Sequence, residues 1–327
     1  MNNRKFIYVL LTIVGIVIIS LLFYFSPELT RKSLDITHDF KELNINQIQP
    51  LKNGVYAVEG DSLMYYSAES SKIQTETSPK TLAEGIMIDQ NRNIFKLKKK
   101  MNQTPDTKID FDPEAVIKLQ DYFLINNKHM LVLDERLNKK YEYEFDTGIA
   151  GVFSNSNNTI NGVITMGTVG GGLSSSVILL DTNREINFKL TLKDEYILGA
   201  HFIGDEELAI ATSAYLYVFK EGVMEDKNPM PNTMGFSASK KYIVRTSKSS
   251  ILIQNTQLEN LYAGSVEEDI IGVVANDKHV VAYGRLTYYL YDGEELKTYR
   301  PNGNIKGIRK DGNRIFIIYD NGVIEID

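Results

Sequence analysis

The chain contains neither cysteine nor tryptophan. Without cysteine there are no disulfides, no thiolate metal sites, no cysteine nucleophile and no lipobox-type lipid anchor. Export without disulfides fits a bacterial envelope better than a eukaryotic secretory route. Histidine is scarce: His38, His129, His201 and His279 share no His-x-His or His-x-x-x-His spacing, so no metal site is expected. An excess of positive charge is also missing. The net charge is -6 and the pI about 5.4, and a nucleic-acid partner would need a basic face. No Gly-x-Ser-x-Gly elbow and no locally spaced carboxylate pair occurs, so no catalytic residue is assigned. Residues 89–93 (Asp-Gln-Asn-Arg-Asn) open like a calcium loop. The sixth position is Ile94 instead of glycine and the twelfth is Lys100 instead of glutamate, so a hairpin turn is expected.

What is present begins with one long apolar run. Residues 6–25 read FIYVLLTIVGIVIISLLFYF, with no charge. At 1.5 Å per residue such a helix spans about 30 Å, the thickness of bilayer hydrocarbon. Tyr8, Phe23, Tyr24 and Phe25 lie toward its ends, as interfacial aromatics do. The run is longer than the usual h-region of a cleaved signal, roughly 7–15 residues. An uncleaved single-pass transmembrane helix is therefore expected, with residues 1–5 as a cytoplasmic tail and 26–34 as a stalk. Arg4 and Lys5 before the span nearly balance Arg31 and Lys32 after it. The short tail breaks the tie and puts the rest of the chain on the extracytoplasmic side.

The remaining chain repeats. Eight β-rich hairpins recur from residue 54 to the end, and their turns from Asp61 to Asn321 are spaced about 37 residues apart. A short strand with a glycine precedes five of them: Gly151, Gly199, Gly235, Gly272 and Gly307. These glycines are read as packing positions where another backbone comes close, near an axis. A fourth run with polar alternation follows most hairpins, as in Lys-Tyr-Glu-Tyr-Glu-Phe at 140–145; such a strand has one wet face. Four antiparallel strands per repeat make an all-β fold, a β-propeller of about eight four-stranded blades preceded by one transmembrane helix. Repeats start near Asn44, Ser78, Pro113, Thr147, Glu195, Asn232, Glu267 and Gly303. Pro79 interrupts the second, which leaves seven blades possible. The last repeat runs out of chain after three strands. Residues 35–43 have the character of an outer strand and are expected to pair with 323–327, closing a 35–327 propeller and removing an exposed edge.

Sequence patterning also suggests where a ligand or partner would meet the ring. Residues 167–176 (Gly-Thr-Val-Gly-Gly-Gly-Leu-Ser-Ser-Ser) fall between the second and third strands of their blade. A loop of about ten residues is expected there, either an unstructured turn or a cover for the funnel mouth. On the same rim would lie Asp61, Arg92, Lys128, Lys248 and Arg285, beside Gly170, Gly171 and Gly172. Their charges are mixed, so the rim singles out neither an anionic nor a cationic ligand.

With its hydrophobic span and phrases such as Arg-Ile-Phe-Ile-Ile-Tyr-Asp-Asn-Gly at 314–322, the chain resembles a family of membrane-anchored propellers of unknown function from Gram-positive bacteria. Their repeats are similar to quinoprotein-type and YVTN-type propellers. Quinoprotein propellers carry tryptophan docking motifs, which this chain lacks, so no cofactor is expected. The functional expectation is a non-enzymatic module that binds a protein or a cell-envelope polymer. The alternative is a glycan-acting hydrolase or lyase with its site in the funnel. Convergent carboxylates or histidines at the funnel mouth would favour the enzyme, and an apolar or mixed rim the binder.

Overall fold

The structure is a computed structural model that describes residues 35–51, 54–67, 73–75, 79–98, 104–204, 206–229, 232–311 and 313–326. The expected tail, transmembrane helix and stalk lie outside these residues. No helix among the described residues is long and apolar enough to cross a membrane.

Thirty-two strands form eight four-stranded antiparallel sheets. From inner to outer strand, blade 1 runs from Ile48–Leu51 to Ile73–Thr75 and blade 2 from Pro79–Ala83 to Thr107–Lys108. Blade 3 runs from Ala115–Lys118 to Lys139–Glu144, blade 4 from Gly148–Ser154 to Ile186–Lys193, and blade 5 from Ile197–Phe202 to Val223–Pro229. Blade 6 runs from Gly235–Ala238 to Asn260–Ser265 and blade 7 from Gly272–Ala275 to Leu296–Tyr299. Blade 8 holds Ile305–Asp311, Arg314–Tyr319 and Gly322–Ile326, with Asp35–Thr37 as its outer strand. The second repeat is thus a full blade. Pro79 takes the first position of its inner strand, where the register shifts before Thr81; a strand accepts proline at such a place.

The core is a ring of interblade layers. Second and third strands are buried on both faces, so they read as continuous apolar runs. In Tyr122–Asn126, Tyr122 and Leu124 pack toward blade 2, while Phe123 and Ile125 pack toward blade 4. In Arg314–Tyr319, Ile315 and Ile317 face blade 7, while Phe316 and Ile318 face blade 1. Strand alternation therefore glues each blade to both neighbours. Outer strands are wet, and Ile186–Lys193 alternates between exposed and half-buried along its length.

Ring closure uses less chain than the sequence pattern suggested. Asp35, Ile36 and Thr37 pair with Ile324, Val323 and Gly322. Beyond Thr37 the chain leaves the ladder. His38 N–H and Phe40 N–H donate to the Asn321 and Asp320 carbonyls at 3.1 and 2.7 Å. The Phe40 ring, fully buried, joins the layer between blades 8 and 1. Burying that ring outweighs extending the strand to residue 43, and Ile45–Gln47 then forms a short 3-10 turn.

Two further expectations need correction. Residues 167–176 are not a ten-residue loop. Asn161–Val169 and Gly172–Leu180 form one long hairpin, in register down to Val169 opposite Gly172. Only Gly170 and Gly171 turn, both with positive φ (62° and 87°), the backbone of a two-residue turn matched to strand twist. The inner-strand glycines make room for side chains, not for backbone. A Cβ on Gly199 would come within 2.7 Å of the Phe236 ring, and one on Gly272 within 2.7 Å of the Tyr283 ring. Gly151 has ordinary space, 3.7 Å from Ile164.

Turns between third and outer strands share one device. Asp134, Asp181 and Asn255 each accept two backbone N–H groups with Oδ1, from residues two and four ahead. Asp89 does the same for Asn91 and Asn93 at 2.8 Å. The calcium-like stretch is therefore a turn in which the carboxylate binds backbone donors.

Candidate functional site at the two ends of the ring

The ring has two ends. At the connector end lie the links between blades and the turns between second and third strands. At the hairpin end lie the turns between inner and second strands, and between third and outer strands.

The residues singled out in sequence all lie at the connector end, but they do not converge. Asp61, Arg92, Lys128, Lys248 and Arg285 occupy the turns of blades 1, 2, 3, 6 and 7, spread around the ring. Four of them bind the chain as it leaves for the next blade. The carbonyls of Arg92, Lys128, Lys248 and Arg285 accept the N–H groups of Ile109, Phe145, Ile270 and Ile305 at 2.7 to 3.1 Å. Three side chains are engaged in the same way. Arg92 reaches Asp112 and the Asp110 carbonyl, at 3.3 and 2.8 Å. Lys248 pairs with Asp269 at 3.3 Å, and Arg285 donates to Asn304 at 3.2 Å. These groups tether connectors to turns. Gly170 and Gly172 line a groove of about 700 Å³ between blade 3 and the long hairpin of blade 4. That hairpin outgrows its neighbour. Where blade 3 covers it, its face is aliphatic, with Val163, Ile178 and Leu180. Further out the same face carries Thr165, Ser174, Ser176 and Thr191, which line the groove.

The connector end also exposes apolar side chains on one arc. Tyr196, Met234 and Ile271 are 57%, 65% and 63% exposed. Each immediately precedes the inner strand of its blade, in blades 5, 6 and 7. The equivalent positions before blades 1, 3, 4 and 8 are Gln47, Glu114, Thr147 and Asn304. Leu286, in the connector-end turn of blade 7, and Val169, at the tip of the blade 4 hairpin, extend the arc and are 52% and 65% exposed.

Charged groups converge at the opposite end, which the sequence reading did not select. One cavity of about 260 Å³ is lined by residues from blades 4 to 8, among them Ser156, His201, Lys240, Asp277 and Lys310. A second, of about 340 Å³, is lined by Glu84, Lys118, Glu135 and Asp311 among others. Consecutive residues of the blade 8 inner strand serve the two sides. Arg309 donates to Asn46 Oδ1 at 2.9 Å, toward blade 1. Lys310 Nζ donates to the Ala275 carbonyl at 3.0 Å, toward blade 7. Protein surrounds Lys310 on most sides, yet its side chain stays open to water, as befits a group pointing into a channel.

Enclosure shifts these groups. His201 is held down to about 4, first by burial and then by repulsion from Lys310, with Asp277 pulling the other way. Lys310 and Arg309 are lowered by burial. Glu84 is raised to about 7 by burial, against the pull of Arg309 and Lys118 and with Asp311 adding to the rise. Among the described residues no group of three or more acidic or histidine side chains is placed to hold a metal. One signal for this end was present in the sequence. Lys118, Asp277, Lys310 and Asp311 all fall at or just after the end of an inner strand, and so at the same end of every blade.

No protein-family profile and no curated protein sequence matches the chain. Solved structures do match its fold. The chain is similar to BamB from Moraxella catarrhalis at 15% identity, covering 89% of this chain and 95% of that one, with a TM-score of 0.57. It is similar to Saccharomyces cerevisiae Sqt1 at 9% identity (90% and 97% covered, TM-score 0.63). It is also similar to BBS1N, solved in complex with ARL6DN, at 9% identity (90% and 96% covered, TM-score 0.55). These likenesses show a β-propeller fold and nothing finer.

Proposed function

We propose that the chain is a protein-binding module, tethered to a bacterial cell membrane by residues 6–25, with its propeller on the extracytoplasmic side. The observation that carries the binding role is the apolar arc at the connector end. Tyr196, Met234 and Ile271 stand in equivalent places on three successive blades, exposed, where other blades put polar residues. Clustered exposed apolar groups favour a protein partner over a glycan. The membrane placement is supported by the twenty uncharged residues and the short cationic tail. Membership of the Gram-positive anchored-propeller family is part of the same proposal.

Photo-crosslinkers at Tyr196, Met234 and Ile271, introduced into the full chain in its own membranes, test the binding role. Expected are crosslinks to a protein at these three positions and few at the equivalent Glu114 and Asn304. Equal yields at all five would overturn the docking arc. Because the chain has no cysteine, Lys248→Cys creates a single thiol. An impermeant maleimide should label it in intact cells, and labelling only after lysis would overturn the orientation.

A further inference from the structure

The cavity at the hairpin end holds more positive charge than its own carboxylate neutralises. Lys310 comes from blade 8, Lys240 from blade 6, His201 from blade 5 and Asp277 from blade 7, and all four line it. Asp277 Oδ1 accepts the Lys240 N–H at 3.0 Å, and its single negative charge, felt by both His201 and Lys310, offsets only one of the two ammonium groups. Lys310 gives one N–H to the Ala275 carbonyl, and two of its three donors remain. Among the described residues neither ammonium has a carboxylate oxygen within salt-bridge distance. Two ammonium groups without an ion-pair partner at the rim of one cavity add nothing to fold stability. Low-dielectric walls instead focus such a field on whatever enters. His201, held neutral at pH 7, adds one ring donor.

We propose that this cavity binds a small free oxyanion, a phosphate or a carboxylate, between Lys310, Lys240 and His201. About 260 Å³ limits the ligand to a small molecule. The site lies at the opposite end of the ring from the apolar arc, so it stands or falls independently of the protein-docking reading. A bound anion would offset part of the burial and of the Lys310 repulsion that keep His201 neutral, and affinity therefore rises as pH falls toward 5.

The test is calorimetric titration of the detergent-solubilised full chain with inorganic phosphate and, separately, with malonate, at low ionic strength. Expected is one saturable site per chain for at least one probe, and the preferred probe identifies the ligand as phosphoryl or carboxylate. Lys310→Gln should weaken that binding roughly tenfold or more, and the exposed Lys240→Gln should weaken it less. Asp277→Asn should tighten it, which a merely disrupted cavity would not do. Phosphate should also raise the titration midpoint of the His201 ring, read by NMR. No saturable binding of either probe overturns the proposal. So does binding that both lysine variants leave unchanged.

Discussion

The two ends of the ring use charge in opposite ways. At the connector end several cations have a carboxylate partner. Arg92 meets Asp112, Lys248 meets Asp269 and Arg300 meets Glu267 at 2.8 Å. On blades 5 to 7 an exposed apolar arc of Tyr196, Met234 and Ile271 remains there. At the hairpin end Lys310, His201, Arg309 and Glu84 crowd the channel with shifted protonation. The difference follows from geometry. Connector-end residues sit where chain must be tied from one blade to the next, so their polar groups are spent on backbone. Hairpin-end turns close on themselves, and their side chains are left to face the channel.

The largest effect comes from removing what both ends share, the closed ring. Deleting residues 322–327 takes away Val323, fully buried, and the partner of Asp35–Thr37. The melting temperature should fall by more than about 10 °C. An unchanged value would mean that this pairing does not hold the ring.

Next comes the hairpin end. Glu84 has a folded pKa raised to about 7 from 4.5, so the native state holds its proton more tightly than the unfolded chain does. That contribution is full below about pH 4.5 and is lost as pH rises through about 7. Glu84→Gln should therefore gain stability over the parent as pH rises across this window, on the order of 1–3 kcal/mol by pH 8. His201, lowered to about 4 from 6.5, contributes with the opposite sign: its stabilisation is present above about pH 6.5 and is lost as pH falls toward 4. Urea denaturation from pH 4 to 8 separates the two limbs, and a parent–Gln difference flat with pH would remove Glu84 from the account.

Smaller effects belong to the connector end. Gly171→Val forces a β-branched residue into φ of 87° and should cost about 1–2 kcal/mol in urea unfolding. Gly170→Asn should be nearly neutral, because asparagine tolerates this turn. Equal tolerance of both would restore the flexible-loop reading. Smallest of all is Asp112→Asn. Asp112 pairs with Lys80 and Arg92 at 3.0 and 3.3 Å, but these side chains are about 40% exposed. The loss should be the smallest of the set and vanish in 1 M salt.

Much of the fold was legible because a strand's neighbours write themselves into its alternation. Phe123 through Ile125 are apolar without a break because both faces are covered. Lys139–Glu144 alternates because one face is wet. The repeat of these two patterns narrows the ring to seven or eight blades, and the strand begun by Pro79 decides for eight. The short last repeat pointed to the N-terminal segment as its edge. The extent of that pairing was not legible, since Phe40 leaves the ladder for a pocket made by blades 8 and 1.

The candidate site was less legible. Gly-Gly-Gly-Leu-Ser-Ser-Ser suggests a loop by composition, yet its serines pair in register across a hairpin. Tyr196, Met234 and Ile271 are ordinary apolar residues in sequence. Their exposure depends on a common place just before three inner strands.

By itself, then, the sequence determined the repeating strands, a ring of seven or eight blades, the wet outer edges and the absence of thiol chemistry, all of which depend on local periodicity and composition. Only the tertiary structure decided which end gathers charge. His201 and Lys310 are 109 residues apart in the chain and line one cavity because the inner strands of blades 5 and 8 both border the central axis. Lys310 and Asp311 are adjacent and line different cavities, because successive side chains of a strand point to opposite faces. Radial closure turns those faces toward different neighbours.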